Sequence, residues 1–76
     1  MPQFHYTVVF EPSTNGGFIV SVPALSGLAT EGRTIEEARE MAKVAIHGYL
    51  ESLIRHGEEI PIDGGPARVE RIGVSI

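Results

Sequence analysis

Apolar and polar side chains alternate across residues 4–11, with Phe4, Tyr6, Val8 and Phe10 on one side and His5, Thr7, Val9 and Glu11 on the other. A period of two predicts a strand with one buried face. Pro12, Ser13, Thr14, Asn15, Gly16 and Gly17 follow, a cluster of turn formers whose Asn-Gly pair tolerates positive φ. In residues 18–22 the apolar face is Phe18, Val20 and Val22, with Ser21 opposite, so the two segments predict a hairpin. Pro23 closes the second strand because it lacks a backbone donor, and Ser26-Gly27 continues the bend. Residues 28–30 then read as a short third strand ending before Gly32.

The sharpest local signal is Thr34-Ile35-Glu36-Glu37. The Thr34 hydroxyl can accept from the Glu37 amide while the Glu37 carboxylate reaches back to the Thr34 amide, a capping box. Glu36 and Glu37 also face the positive end of the helix dipole. At 100° per residue, Ile35, Ala38, Met41, Ala42, Ala45, Ile46, Tyr49, Leu50 and Leu53 share about half the circumference, which must be buried. The three alanines let the axis lie close to a sheet. Gly57 supplies a left-handed stop, preceded by Arg55 and His56 where positive charge is favoured. Gly48, inside the helix, costs about 1 kcal/mol relative to alanine and leaves packing to carry that position.

Residues 58–66 hold two prolines and a Gly-Gly pair and read as a loop returning to the sheet. Residues 69–76 alternate again, with Ile72, Val74 and Ile76 opposite Arg71, Gly73 and Ser75, which predicts a last strand. The expected fold is α+β: a two-layer sandwich of β-β-β-α-β order, a mainly antiparallel sheet with one long helix on one face, in a single domain over residues 1–76.

Composition narrows what such a domain can do. A chain of 76 residues buries only about 60% of the surface that its unfolded form exposes. With no cysteine to staple it, self-association is the favoured remedy for a small core. The absence of cysteine, of a signal-peptide pattern and of a membrane-length apolar run points to the cytoplasm. A formal charge of −4 has the wrong sign for holding nucleic acid and suits a basic protein partner better.

The segment Gly16-Gly17-Phe18-Ile19-Val20-Ser21-Val22-Pro23 is followed by Leu25, Gly27, Glu31-Gly32, Thr34 and Glu36-Glu37-Ala38. Ala42, Ala45, Tyr49 and Leu50 come next, then Gly57-Glu58-Glu59-Ile60-Pro61. Across about residues 4–62 this pattern resembles the HicB antitoxin family. The resemblance implies a partial RNase H-like fold and a type II toxin–antitoxin role: docking on a small basic HicA-like toxin, an mRNA-cleaving ribonuclease, and covering its catalytic histidine. Ala24 stands where the family often has an acidic residue, Leu28 where it often has cysteine, and Arg33 where an acidic or polar residue is commoner. Many members continue into a C-terminal DNA-binding domain. None is expected here, so no direct DNA binding is expected either.

Candidate chemistry is sparse. RNase H-type cleavage needs clustered carboxylates around two metal ions, whereas the first strand offers Glu11 alone and no aspartate precedes Asp63. His5, His47 and His56 lack metal-ligand spacing. Ser21 and Ser26 lack a nucleophile elbow, and Gly64-Gly65 lacks the lysine of a phosphate loop. Amides at Gly32-Arg33-Thr34 could receive an anion, but Glu36 and Glu37 occupy that field. The expectation is no enzyme, no cofactor and no metal. One enzymatic alternative is a tautomerase using Pro2 as an amino-terminal base, against which stands the hairpin preceding the helix. A second alternative is an orphan interaction module with a non-toxin partner.

Two surfaces remain as binding candidates. Glu36, Glu40, His47 and Glu51 repeat along the helix side away from the sheet, with Val44 among them and Ile54 at the margin. These are the expected partner contacts. The free edge of the meander or the sheet face without a helix, where His5, Thr7, Val9, Ile19 and Ser21 combine apolar and small polar groups, is the expected site of self-association into a homodimer or tetramer.

Overall fold

The structure, a computed structural model, describes residues 3–76. Pro2, the basis of the tautomerase alternative, lies outside the described residues. Three strands, β1 (Val9–Pro12), β2 (Phe18–Ser21) and β3 (Ala29–Gly32), form an antiparallel sheet in the order β1-β2-β3, and α1 (Ile35–Arg55) follows. The α+β arrangement of three antiparallel strands and one long helix is as expected from the sequence.

Register places Phe10, Val20 and Thr30 side by side, while Val9, Ser21 and Ala29 form a row on the opposite face. The first row looks toward the helix. Val20 is fully buried there against Ala38 and Ala42, with Val8, Phe10 and Phe18 packed around them. A second cluster joins Val22, Leu25 and Leu50, with Tyr6, Leu28, Ile46, Tyr49, Leu53 and Ile60 around it. Among the described residues no polar or charged residue is buried. Met41, expected in the covered half of the helix, is exposed at its margin. The helix lies mainly over β3 and then β2, and β1 stays at the edge of the covered area.

Both helix ends follow from their sequences. The Thr34 side chain accepts from the Glu37 amide at 3.0 Å, and Glu37 Oε1 accepts from the Arg33 amide at 3.1 Å. The reciprocal bond thus lands one residue earlier than the box predicts. At the other end Gly57, with φ +68, donates to Ile54 O at 3.1 Å and Glu58 donates to Leu53 O at 2.9 Å, a Schellman closure. Gly48 is exposed, with open space where a side chain would stand, so the rest of the helix carries its cost.

In the hairpin the left-handed positions are Gly16 and Gly17, both at φ +82, rather than Asn15. Gly17 and Gly32 have a further reason to lack side chains. A Cβ on Gly17 would stand 2.5 Å from Gly32 O and 3.0 Å from Arg33 Cα, and one on Gly32 would stand 2.7 Å from Ala38 Cα. The hairpin turn, the end of β3 and the first helical turn therefore meet backbone to backbone.

Two strand expectations are corrected. The first strand pairs only from Val9, because β2 ends before Val22 and Pro23 and leaves residues 3–8 with no strand to pair against. Residues 69–76 form no strand: Val69, Ile72, Val74 and Ile76 are 80% exposed or more. Alternation supplies the period there, but the segment runs away from the body and pairs with no strand. The observed order is therefore β-β-β-α, followed by an irregular crossing and an extended arm.

Candidate interaction surface

All five residues expected to meet a partner, Glu36, Glu40, Val44, His47 and Glu51, are exposed on the outer side of α1. Lys43 Nζ lies 3.5 Å from Glu40 Oε1, and His47 Nδ1 lies 3.4 Å from Glu51 Oε1. Such exposed pairs contribute little stability; they leave the carboxylates free to exchange partners. Val44 and Ile54 are 68% and 63% exposed, so aliphatic surface accompanies the acidic stripe.

On the open face of the sheet, Val9 stands opposite Ser21, and Ile19 stands between Glu11 and Glu31 in the register of the three strands. Three of the five expected self-association residues are thus brought together. Glu11 and Glu31 place a carboxylate on each side of Ile19, a feature missed from the sequence because register was not known there. His5 is exposed beyond the end of the ladder.

Thr7 is drawn into a different arrangement. Its amide donates to Asp63 Oδ1 at 2.9 Å, and its hydroxyl lies 2.9 Å from Asp63 Oδ2 and 3.2 Å from Gly65 O. The Tyr6 hydroxyl donates to Pro61 O at 2.6 Å. Asp63 also accepts from the Gly65 amide at 3.2 Å, an Asx turn of the kind that Asp followed by glycines signals in sequence. This latch ties the crossing after α1 to the start of the chain. Donation from the Thr7 amide and hydroxyl, then from Gly65, holds the Asp63 carboxyl below its ordinary value; burial, and secondarily the Asp63 charge, raises the Tyr6 phenol above its own.

A depressed carboxylate stabilises the fold fully above its unfolded pKa of about 3.8, and that stabilisation is lost as pH falls through the lower folded value. Acid titration followed by the Thr7 amide resonance is expected to release the latch below pH ~3.8. In Asp63→Asn the pH-dependent part of that transition disappears; an unchanged acid limb would show that Asp63 does not drive it.

A surface cleft of about 370 Å³ runs past Thr7, Pro23, Ala24 and Asp63, and its one carboxylate is already committed to Thr7. Among the described residues no group of three His, Asp or Glu side chains is placed to hold a metal ion, and no helix is long and apolar enough to cross a membrane. The arrangement leaves three features at the surface: an acidic helix face, a mixed sheet face and a latched crossing.

Residues 6–73 match the family described as HicB_like antitoxin of bacterial toxin–antitoxin system. The chain belongs to the HicB-like antitoxin family. Its likeness to UPF0150 protein Ta0767 of Thermoplasma acidophilum is 47% identity over 58 residues, covering 76% of this chain and 84% of that protein. UPF0150 protein ssr1765 of Synechocystis sp. is 38% identical over 58 residues, 76% of this chain and 73% of that protein. Antitoxin HicB 1 of Photorhabdus laumondii is 41% identical over 62 residues, 82% of this chain but 40% of that longer protein. The HicB-like match takes in all three strands, the helix and the Asp63 latch.

Proposed function

We propose that this HicB-like chain acts in the cytoplasm as the antitoxin of a type II pair, binding a small basic HicA-like toxin and covering its mRNA-cleaving site. The observation that carries the reading is the outer face of α1, where Glu36, Glu40, His47 and Glu51 surround exposed Val44. Acidic groups steer a basic partner, and a central aliphatic group gives the contact a desolvated point. Inhibition is by occlusion, with no turnover, cofactor or metal on the antitoxin side and no direct DNA contact. The partial RNase H-like fold serves here as a platform. Self-association to a homodimer or tetramer uses the free edge of the sheet or its side away from α1, where Val9, Ile19 and Ser21 gather, with His5 and Thr7 at its end.

The test is co-purification with the product of the adjacent reading frame, followed by titration. Glu40→Lys/Glu51→Lys is expected to weaken the complex at least about tenfold, with a shallower salt dependence, while leaving the helix content intact. A complex indifferent to both substitutions would place the contact elsewhere on the fold. Failure of a neighbouring basic protein to co-purify would favour an interaction module with another kind of partner.

A further inference from the structure

The most conspicuous unpartnered element is the arm that leaves the body after the Asp63 latch. The chain measures 48 × 27 × 18 Å, with a radius of gyration of 14.5 Å, against about 11 Å for a compact chain of this length. Ile72 and Val74 are 80% and 82% exposed. Residues 71–76 keep the two-residue alternation of a strand buried on one face.

The body offers a matching gap. Among the described residues β1 has β2 on one side and no strand on the other, so its outer edge from Val9 to Pro12 is open. The helix scarcely covers β1, and Phe10 and Val8 on its helix side are only half-buried. The crossing reaches this same side of the sheet, since Pro61 meets Tyr6 and Asp63 and Gly65 meet Thr7. There the chain turns away. Gly65 has φ +100, and Pro66 has no amide to continue a ladder.

Charge supports a second copy as the occupant. Residues 66–76 carry Arg68, Arg71 and Glu70, a net +1, so with −4 for the whole chain the remainder carries −5. Face-to-face stacking of two open sheets would oppose Glu11 and Glu31 of one copy to those of the other. An arm laid on β1 changes that. If Ile72, Val74 and Ile76 lie on the helix side with Val8 and Phe10, the alternation puts Arg71 on the open side with Glu11.

We propose that two copies exchange these arms, each laying residues 69–76 as a fourth strand along the outer edge of β1 of the other, with Arg71 beside Glu11. The inference deepens the self-association part of the reading above and is independent of the toxin. The exchange is reciprocal and closed by a two-fold axis.

Because the chain has no cysteine, two single variants report the contact cleanly. Glu11→Cys and Arg71→Cys proteins, purified separately and mixed under mild oxidation, are expected to give a covalent pair whose linked peptides join positions 11 and 71. Sedimentation equilibrium on the native chain is expected to show a dimer. Arg71→Glu weakens it about tenfold, and Glu11→Arg in the same chain restores it. Both positions are exposed, and far-UV circular dichroism verifies that each variant keeps its helix. A monomeric native chain, a dimer indifferent to both charge reversals, or a disulfide forming within one chain of the Glu11→Cys/Arg71→Cys double variant would each overturn the exchange. A toxin complex that persists while the native chain is monomeric would separate this failure from that of the antitoxin reading.

Discussion

Gly32→Ala is expected to cost about 3 kcal/mol of stability and to lower Tm on the order of 15 °C, although it adds a single methyl group to a residue at the end of a strand. The reason is the approach of three backbones. The added Cβ would stand 2.7 Å from Ala38 Cα and 2.8 Å from Glu37 C, atoms of the first helical turn that no rotamer change can move. Relief requires sliding α1 away from β3, which would loosen Ala38 and Ala42 from Val20. Gly48→Ala is the control: its methyl enters open space within the helix, and it should be neutral or stabilise by up to about 1 kcal/mol. Thermal unfolding followed by helix dichroism compares the two, and a Gly32→Ala protein as stable as the native chain would mean that the contact is looser than described.

Leu25→Ala is expected to cost about 3 kcal/mol as well, from a residue in no helix or strand. Leu25 is fully buried and joins Val22 and Leu50 in the second apolar cluster. Its amide donates to Val22 O at 3.0 Å, and its carbonyl accepts from Leu28 at 2.9 Å, so the connection from β2 to β3 is pinned around it. A chain of this size has roughly 4–11 kcal/mol in total. The substitution should therefore remove a large share of the margin. Urea unfolding should show a lower midpoint with unchanged slope, and Leu28→Ala, at a half-buried position, should shift it less. Equal effects at the two positions would contradict the burial described for Leu25.

The helix was readable almost to the residue, because every local signal agrees there: Thr34 and Glu37 at the start, a periodic apolar side, and Gly57 at the end. The strands were readable in type but displaced at their ends. Alternation in residues 4–8 marks an apolar side, and Tyr6 and Val8 do pack on the core, yet pairing also needs a neighbour of matching length. Residues 69–76 show the same limit more strongly, since a period can be written into a segment that runs away from its own sheet and pairs with no strand of it.

For the candidate surface, the acidic helix stripe could be read directly, since helical spacing fixes which residues share a face. Glu11 and Glu31 about Ile19 could not, because cross-strand neighbours depend on register across two turns. Nor could the contact of Gly17 and Gly32, which appear in sequence as ordinary turn glycines. The Asp63–Thr7 pairing spans 56 positions, and only the Asx-turn half of it has a local signature.

That separation along the chain orders the way in which the fold assembles. The strands pair as consecutive neighbours and the helix returns onto the strand just before it, so most of the structure closes through short loops and can form rapidly. The crossing must wait until both remote ends of that unit exist. It is the last piece to arrive and, being held by a few bonds at the surface, the first to open. In a single copy, before arms are exchanged, a protease would meet residues 61–76 as a separable tail while the sheet and helix still stood.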